Sequence, residues 1–122
     1  MHRAWKAAAV AAAMSLALSG CGEKKEAAEP VKLDARLADI YSHTCQTCHE
    51  NAETGAPPAH DLAAWKPRLA QGESVLSDHI VNGFKGMPPL GQCIECSADD
   101  LLTLMKFMAA PAPEAAEEEK EH

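Results

Sequence analysis

Six histidines and five cysteines in 122 residues supply the side chains that bind metals and cofactors. Four of the cysteines fall in two C-x-x-C pairs, Cys45 with Cys48 and Cys93 with Cys96. The first pair reads Cys45-Gln46-Thr47-Cys48-His49, and C-x-x-C-H is the spacing that attaches a haem covalently. On a helical turn, residues three apart share a face, so both thiols can meet the two vinyl groups on one side of a porphyrin. His49 then lies beside the ring with an imidazole nitrogen for the iron. C-x-x-C alone also suits a disulfide, a redox pair or half a zinc site. A thioredoxin-like redox pair expects a βαβ context, which this sequence lacks. A zinc module would use all four cysteines, yet 44 residues separate the pairs, against about 15–20 in modules of that type. Zinc also leaves His49 without a role.

A haem bound by one histidine has a second face. Met87, in Phe84-Lys85-Gly86-Met87-Pro88-Pro89, is the leading candidate for it. The glycine lets backbone approach a ring and the prolines stiffen the chain beyond the ligand. Thioether ligation raises the reduction potential, which suits an electron carrier. Met105 and Met108 lie on an apolar helical stripe and read as core, while His43, His60 and His79 are further possible ligands. Cys93-Ile94-Glu95-Cys96 is followed by Ser97, so it lacks the histidine for a second haem. In an oxidising compartment a local disulfide is expected there, with a regulatory redox switch as the alternative.

The elements that position these residues read as helices. Leu33, Leu37, Ile40, Tyr41 and Thr44 follow a helical period, with Asp34 placed to cap the start, and this helix is expected to run into the first cysteine pair. Residues 51–60 hold Gly55, Pro57 and Pro58 and read as a loop. A short helix is expected over 61–71, limited by Pro67 and ended by Gly72. Ser74 is placed to cap another through Val81, ended by Asn82-Gly83. Residues 84–96 read as extended or looped. Ser97-Ala98-Asp99-Asp100 is a capping-box variant, and Leu101, Leu104, Met105 and Met108 then form one stripe that Pro111 closes. No stretch reads as a strand, so the fold class is all-α.

Composition sets the limits. Hydrophobic residues make up 47%, but 24 of them are alanine, which buries little area. Between Val31 and Met108 about twenty larger apolar side chains remain, a core that is marginal without a staple, a metal or a large cofactor. A net charge of −7 argues against nucleic-acid binding, which needs a basic footprint. The start, Met1-His2-Arg3-Ala4-Trp5-Lys6, followed by an apolar run from Ala7 to Leu18, reads as a signal peptide over residues 1–20, since so short a run does not span a bilayer. Leu18-Ser19-Gly20-Cys21 resembles a bacterial lipobox, which implies cleavage before Cys21 and a lipid on its thiol. Residues 21–30 then read as lipid anchor and tether, 31–110 as the folded domain, and 111–122, without a large apolar residue, as a disordered acidic tail.

With these residues in place, the chain resembles the class I cytochromes c, and within them the cytochrome c5 type. The resemblance is carried by Cys45-Gln46-Thr47-Cys48-His49, Gly55-Ala56-Pro57, Ala63-Ala64-Trp65-Lys66-Pro67-Arg68, Gly83-Phe84-Lys85-Gly86-Met87-Pro88-Pro89 and Cys93-Ile94-Glu95-Cys96-Ser97. It implies a small fold of about four helices wrapped around one low-spin haem c, attached through Cys45 and Cys48, with His49 and Met87 as axial ligands and a Cys93–Cys96 disulfide. It also implies that the Pro57 carbonyl accepts a hydrogen bond from His49, and that Trp65 and Arg68 partner a haem propionate. The chain departs from many family members at Leu90, where they carry a basic residue. The expected function is single-electron transfer rather than enzymatic turnover, by a lipid-anchored domain facing the periplasm of a bacterial cell envelope. Its expected partners are redox proteins, either membrane respiratory complexes or other cytochromes, and the negative charge predicts salt-sensitive association with their basic patches. The rival readings are a haem sensor or small peroxidase with a displaceable sixth ligand, and a zinc-stabilised interaction module.

Overall fold

The computed structural model describes residues 28–114. The signal peptide expected over 1–20, the lipidation expected at Cys21, most of the expected tether and the expected tail beyond Glu114 lie outside the described residues. Five α-helices follow in chain order: α1 (Ala35–His43), α2 (Gln46–His49), α3 (Leu62–Leu69), α4 (Glu73–Asn82) and α5 (Ala98–Ala109). Two short 3₁₀ turns, Ala52–Thr54 and Pro89–Gln92, interrupt the loops. The described residues contain no strand, only one isolated bridge between Phe84 and Met87. Among them, no helix is long and apolar enough to cross a membrane.

The core forms where the apolar stripes meet. Helix α5 packs against α1, α3 and α4, and its Leu101, Leu104, Met105 and Met108 are all buried, Leu104 to 1% exposure. Leu37, Ile40 and Tyr41 from α1, Trp65 from α3, and Leu76 and Ile80 from α4 complete the cluster, together with Cys93. The helix starts follow their caps. The Asp34 carboxylate accepts from the Leu37 N–H at 2.7 Å, and Asp61 does the same for Ala64 at 3.0 Å. Ser97 and Asp100 form the reciprocal capping box of α5, each side chain accepting from the other's backbone N–H. An Arg36–Asp100 ion pair then joins α1 to α5.

The all-α class stands as expected, with five helices among the described residues, and two local expectations are corrected. The first helix does not run into the cysteine pair. It stops at Thr44, whose backbone (φ −120°, ψ −77°) leaves the helix while its N–H and hydroxyl both donate to the Ile40 carbonyl. A threonine hydroxyl offers the backbone an alternative to the regular ladder, and here it separates α1 from α2. Ser74 does not cap α4, which starts earlier, from Gly72 (φ 95°), and places Ser74 inside its first turn. That start puts Glu73 at the positive end of the helix and within 2.8 Å of Lys106 on α5. The short helix expected over 61–71 is present as α3, with Pro67 inside it.

Candidate functional site

Helix α2 is a single turn built around one acceptor. The Cys45 carbonyl receives the N–H groups of both Cys48 (3.2 Å) and His49 (2.9 Å). The Thr54 hydroxyl donates to the Cys48 carbonyl at 2.7 Å, and the Ala59 N–H to the His49 carbonyl at 2.8 Å. The residues carrying the chemistry are therefore fixed through their main chain from both sides. Cys45 and Cys48 are free thiols, the first half-buried and the second exposed, and burial pushes the Cys45 thiol up.

Among the described residues His49 is the one buried polar side chain, at 6% exposure. Its Nδ1 lies 2.8 Å from the Pro57 carbonyl. A carbonyl only accepts, so Nδ1 carries the proton and Nε2 keeps a lone pair. Burial pushes the imidazole pKa down, the Pro57 carbonyl pulls it partly back, and Arg68 nearby lowers it again. The balance keeps the ring neutral, which is the form that ligates a metal. The indole of Trp65 stacks on it at 5.9 Å between centroids and 24° between planes. In this structure the single indole N–H is donated to the Pro58 carbonyl at 2.8 Å. Arg68 gives one N–H to the Ala64 carbonyl and retains its other guanidinium donors.

The second candidate ligand sits in a tight hairpin. Phe84 and Met87 exchange backbone hydrogen bonds of 3.0 and 2.9 Å, with Lys85 at φ 52° turning the chain between them. Met87 is half-buried against the core. Gly83, at φ 84°, lies so close beneath this hairpin that a Cβ would stand 3.0 Å from the Met87 carbonyl oxygen and 3.1 Å from the Pro89 ring. Phe84 is 44% exposed and stacks on His79 at 3.8 Å, with the Lys85 ammonium 5.3 Å from its ring centre.

Cys93 and Cys96 form a disulfide, so they are not free to serve as zinc ligands. Among the described residues no three His, Cys, Asp or Glu side chains converge on a metal position, and the zinc-module reading fails on both counts. The donor set fits a covalently held haem instead: two thiols that remain separate on one turn, followed by a neutral, hydrogen-bonded imidazole. Hydrogen bonds and turns hold the main chain of residues 42–64 and 81–92, and Cys45, Ala59, Met87 and Leu90 among them pack against the core. Thr54, Pro58 and Gly91, which do part of that holding, are not legible in the sequence as site residues, because they act through hydrogen bonds with main-chain groups or through backbone geometry and leave no periodic signal.

A family model described as "Cytochrome C oxidase, cbb3-type, subunit III" matches residues 33–108. The chain is 37% identical over 78 residues to cytochrome c5 of Ectopseudomonas mendocina, covering 62% of this chain and 90% of that one. It is 46% identical over 46 residues to cytochrome c-555 of Chlorobaculum tepidum, covering 38% of this chain and 43% of that one. A chain in the crystal structure of an electron transfer complex of nitrite reductase with cytochrome c matches with a TM-score of 0.56 at 31% identity, covering 64% of this chain and 95% of its own length. With the two thiols and the neutral imidazole where covalent haem attachment needs them, the chain belongs to this cytochrome c family and is a c5-like class I c-type cytochrome, a mono-haem electron-transfer protein with a covalently bound haem c.

Proposed function

We propose that this cytochrome is a dedicated single-electron carrier rather than an enzyme, with His49 and Met87 as axial ligands and Cys45 and Cys48 as the thioether attachments. The observation that carries the reading is the His49–Pro57 hydrogen bond on a buried ring, which fixes one tautomer and one orientation. Haem, when bound, supplies an iron that gains or loses one electron. The chain's own residues supply the constancy around it. The Pro57 carbonyl holds His49 and increases its basicity. The Phe84–Met87 hairpin, closed over Gly83, holds the Met87 backbone. A soft thioether on one face raises the potential relative to two nitrogen ligands. Arg68, with guanidinium donors to spare beside His49, is the residue suited to neutralise a propionate. Trp65 serves as the wall behind the imidazole, its N–H closing the 58–65 segment.

We further propose that residues 1–20 are a lipoprotein signal peptide, that Cys21 carries the lipid, and that residues 21–30 tether the domain so that it faces the periplasm. Partners are then redox proteins near the membrane surface. The description of the family as a cbb3-type oxidase subunit and the nitrite reductase complex of the structural relative support redox proteins of this kind.

Absorption spectra of the holoprotein, oxidised, reduced and as the pyridine haemochrome, test the ligands. A c-type haemochrome with the weak far-red band of methionine–ferric iron, lost in Met87→Ala, is the expected result. A haem spectrum without that band in the wild type overturns Met87 and favours a displaceable ligand, hence sensing or peroxidase chemistry. Release of the protein from membranes by Cys21→Ala tests the anchor separately.

A further inference from the structure

The chain beyond Met87 adopts an unusual conformation. Leu90 (φ 59°, ψ 11°), Gly91 (φ 55°, ψ 27°) and Gln92 (φ 69°) are left-handed in succession. Glycine accepts this backbone freely, whereas leucine and glutamine crowd their Cβ against the following carbonyl. Such residues persist only where their surroundings over-determine them. On the near side, the Gly91 N–H donates to the Pro88 carbonyl (3.1 Å) and the Cys93 N–H to the Leu90 carbonyl (3.0 Å). On the far side stands the disulfide. Cys93, 1% exposed and set in the core, follows the triplet directly, and its bond to Cys96 ties it to the residue before Ser97, the cap of α5. The triplet in turn meets the candidate ligand, because a Cβ on Gly91 would lie 3.5 Å from the Met87 methyl carbon, with no other contact within 4 Å. The Met87 backbone is held by its hairpin with Phe84, while its methyl carbon lies on the side of Gly91 where a Cβ would stand.

We propose that the Cys93–Cys96 disulfide is a positioning device for the sixth ligand: by clamping residues 90–92 in their left-handed conformation it keeps Gly91 under the Met87 methyl group and slows exchange of the thioether for external ligands. The proposal rests on Met87 being the axial ligand. Once the clamp is cut, Leu90 and Gln92 gain by returning to ordinary backbone, and that movement draws Gly91 away from Met87. A disulfide that only stabilises the fold predicts no such coupling.

The test follows imidazole binding to the ferric holoprotein, with the far-red methionine band recorded in parallel. Three proteins are compared: wild type, Cys93→Ala/Cys96→Ala, and Arg36→Ala. The last removes the ion pair between α1 and α5 and controls for general loss of stability. The double variant is expected to keep its covalent haem and helical circular dichroism but to bind imidazole roughly tenfold faster, the factor expected when one residue relaxes from the left-handed region. Arg36→Ala is expected to bind at the wild-type rate. Adding Gln92→Gly to the double variant, which removes one crowded Cβ, is expected to return part of the lost protection. If the double variant does not take up haem, wild-type holoprotein whose disulfide has been opened by a phosphine and verified by thiol titration gives the same comparison. Equal imidazole rates with and without the disulfide, in proteins that show the far-red band, overturn the proposal alone. Absence of the band in the wild type overturns the Met87 reading, and the proposal with it.

Discussion

Two glycines in one hairpin, Gly83 and Gly86, should respond oppositely to the same substitution. Gly83 has φ 84° and ψ 154°, a region open essentially to glycine alone, so an alanine there costs about 1–3 kcal/mol in backbone strain. Its Cβ would also stand 3.0 Å from the Met87 carbonyl oxygen and 3.1 Å from both the nitrogen and Cδ of Pro89. These are main-chain and ring atoms that cannot rotate aside, and such overpacking adds about 1–3 kcal/mol. The stiffer unfolded chain returns only about 0.4–1 kcal/mol. The net expectation for Gly83→Ala is a loss of about 3 kcal/mol. With a urea dependence near the low end for small domains, about 1–1.5 kcal/mol per molar, the unfolding midpoint falls by about 2 M. Gly86 has no left-handed φ, and a Cβ added there would meet no atom within 4 Å, so Gly86→Ala should leave the midpoint unchanged or raise it slightly. Urea titrations of the two holoproteins, followed by circular dichroism, decide the matter. A Gly83→Ala midpoint within experimental error of wild type would refute the claim that close approach at this residue sets the hairpin.

Leu104→Ala, at a core position 1% exposed, should cost about 3 kcal/mol through lost burial and a residual cavity, measured by the same titration. Trp65→Phe removes the donor to the Pro58 carbonyl and should cost about 1–2 kcal/mol while leaving the haem covalently attached, as read by the pyridine haemochrome. Asp100→Asn should carry a pH signature. The Ser97 backbone N–H, with Arg36 beside it, holds the Asp100 carboxyl below the usual carboxylate range, so the stabilisation it gives is full above about pH 4 and is lost as pH falls through the depressed folded value. The wild-type advantage over the variant should therefore be constant near neutrality and disappear on acidification, and an advantage that persists in acid would show that the charge is not its source.

What can be read from the sequence is written in side chains. The Asp34 cap, the Ser97–Asp100 box and the stripe Leu101, Leu104, Met105 and Met108 each depend on particular residue types at helical spacing, and each is where the pattern puts it. The Cys45-x-x-Cys48-His49 turn is legible for the same reason. The break at Thr44 is not, because its residue fits the apolar period and only its hydroxyl's attachment to the Ile40 carbonyl distinguishes an end from a continuation. The start of α4 is hidden behind Ser74, a residue type that suits a cap, whereas a glycine at φ 95° and the Glu73–Lys106 ion pair set the helix earlier.

The remainder of the site is hidden for a deeper reason, which also bears on how the protein works. The groups that hold its functional residues are largely main-chain atoms: the Cys45 carbonyl under α2, the Pro57 carbonyl on His49, the Pro58 carbonyl on Trp65 and the Phe84–Met87 bridge. A carbonyl has no residue type, so only prolines and glycines betray where backbone must be rigid or close. The result is a division of labour. Helices α1, α3, α4 and α5 make a small core that carries the fold, while the main-chain carbonyls of Cys45, Pro57 and Pro58 accept the bonds that fix α2, His49 and Trp65. A hydrogen bond fixes orientation as well as distance, and an electron-transfer protein, whose cofactor must keep its surroundings through each change of charge, gains from that constraint.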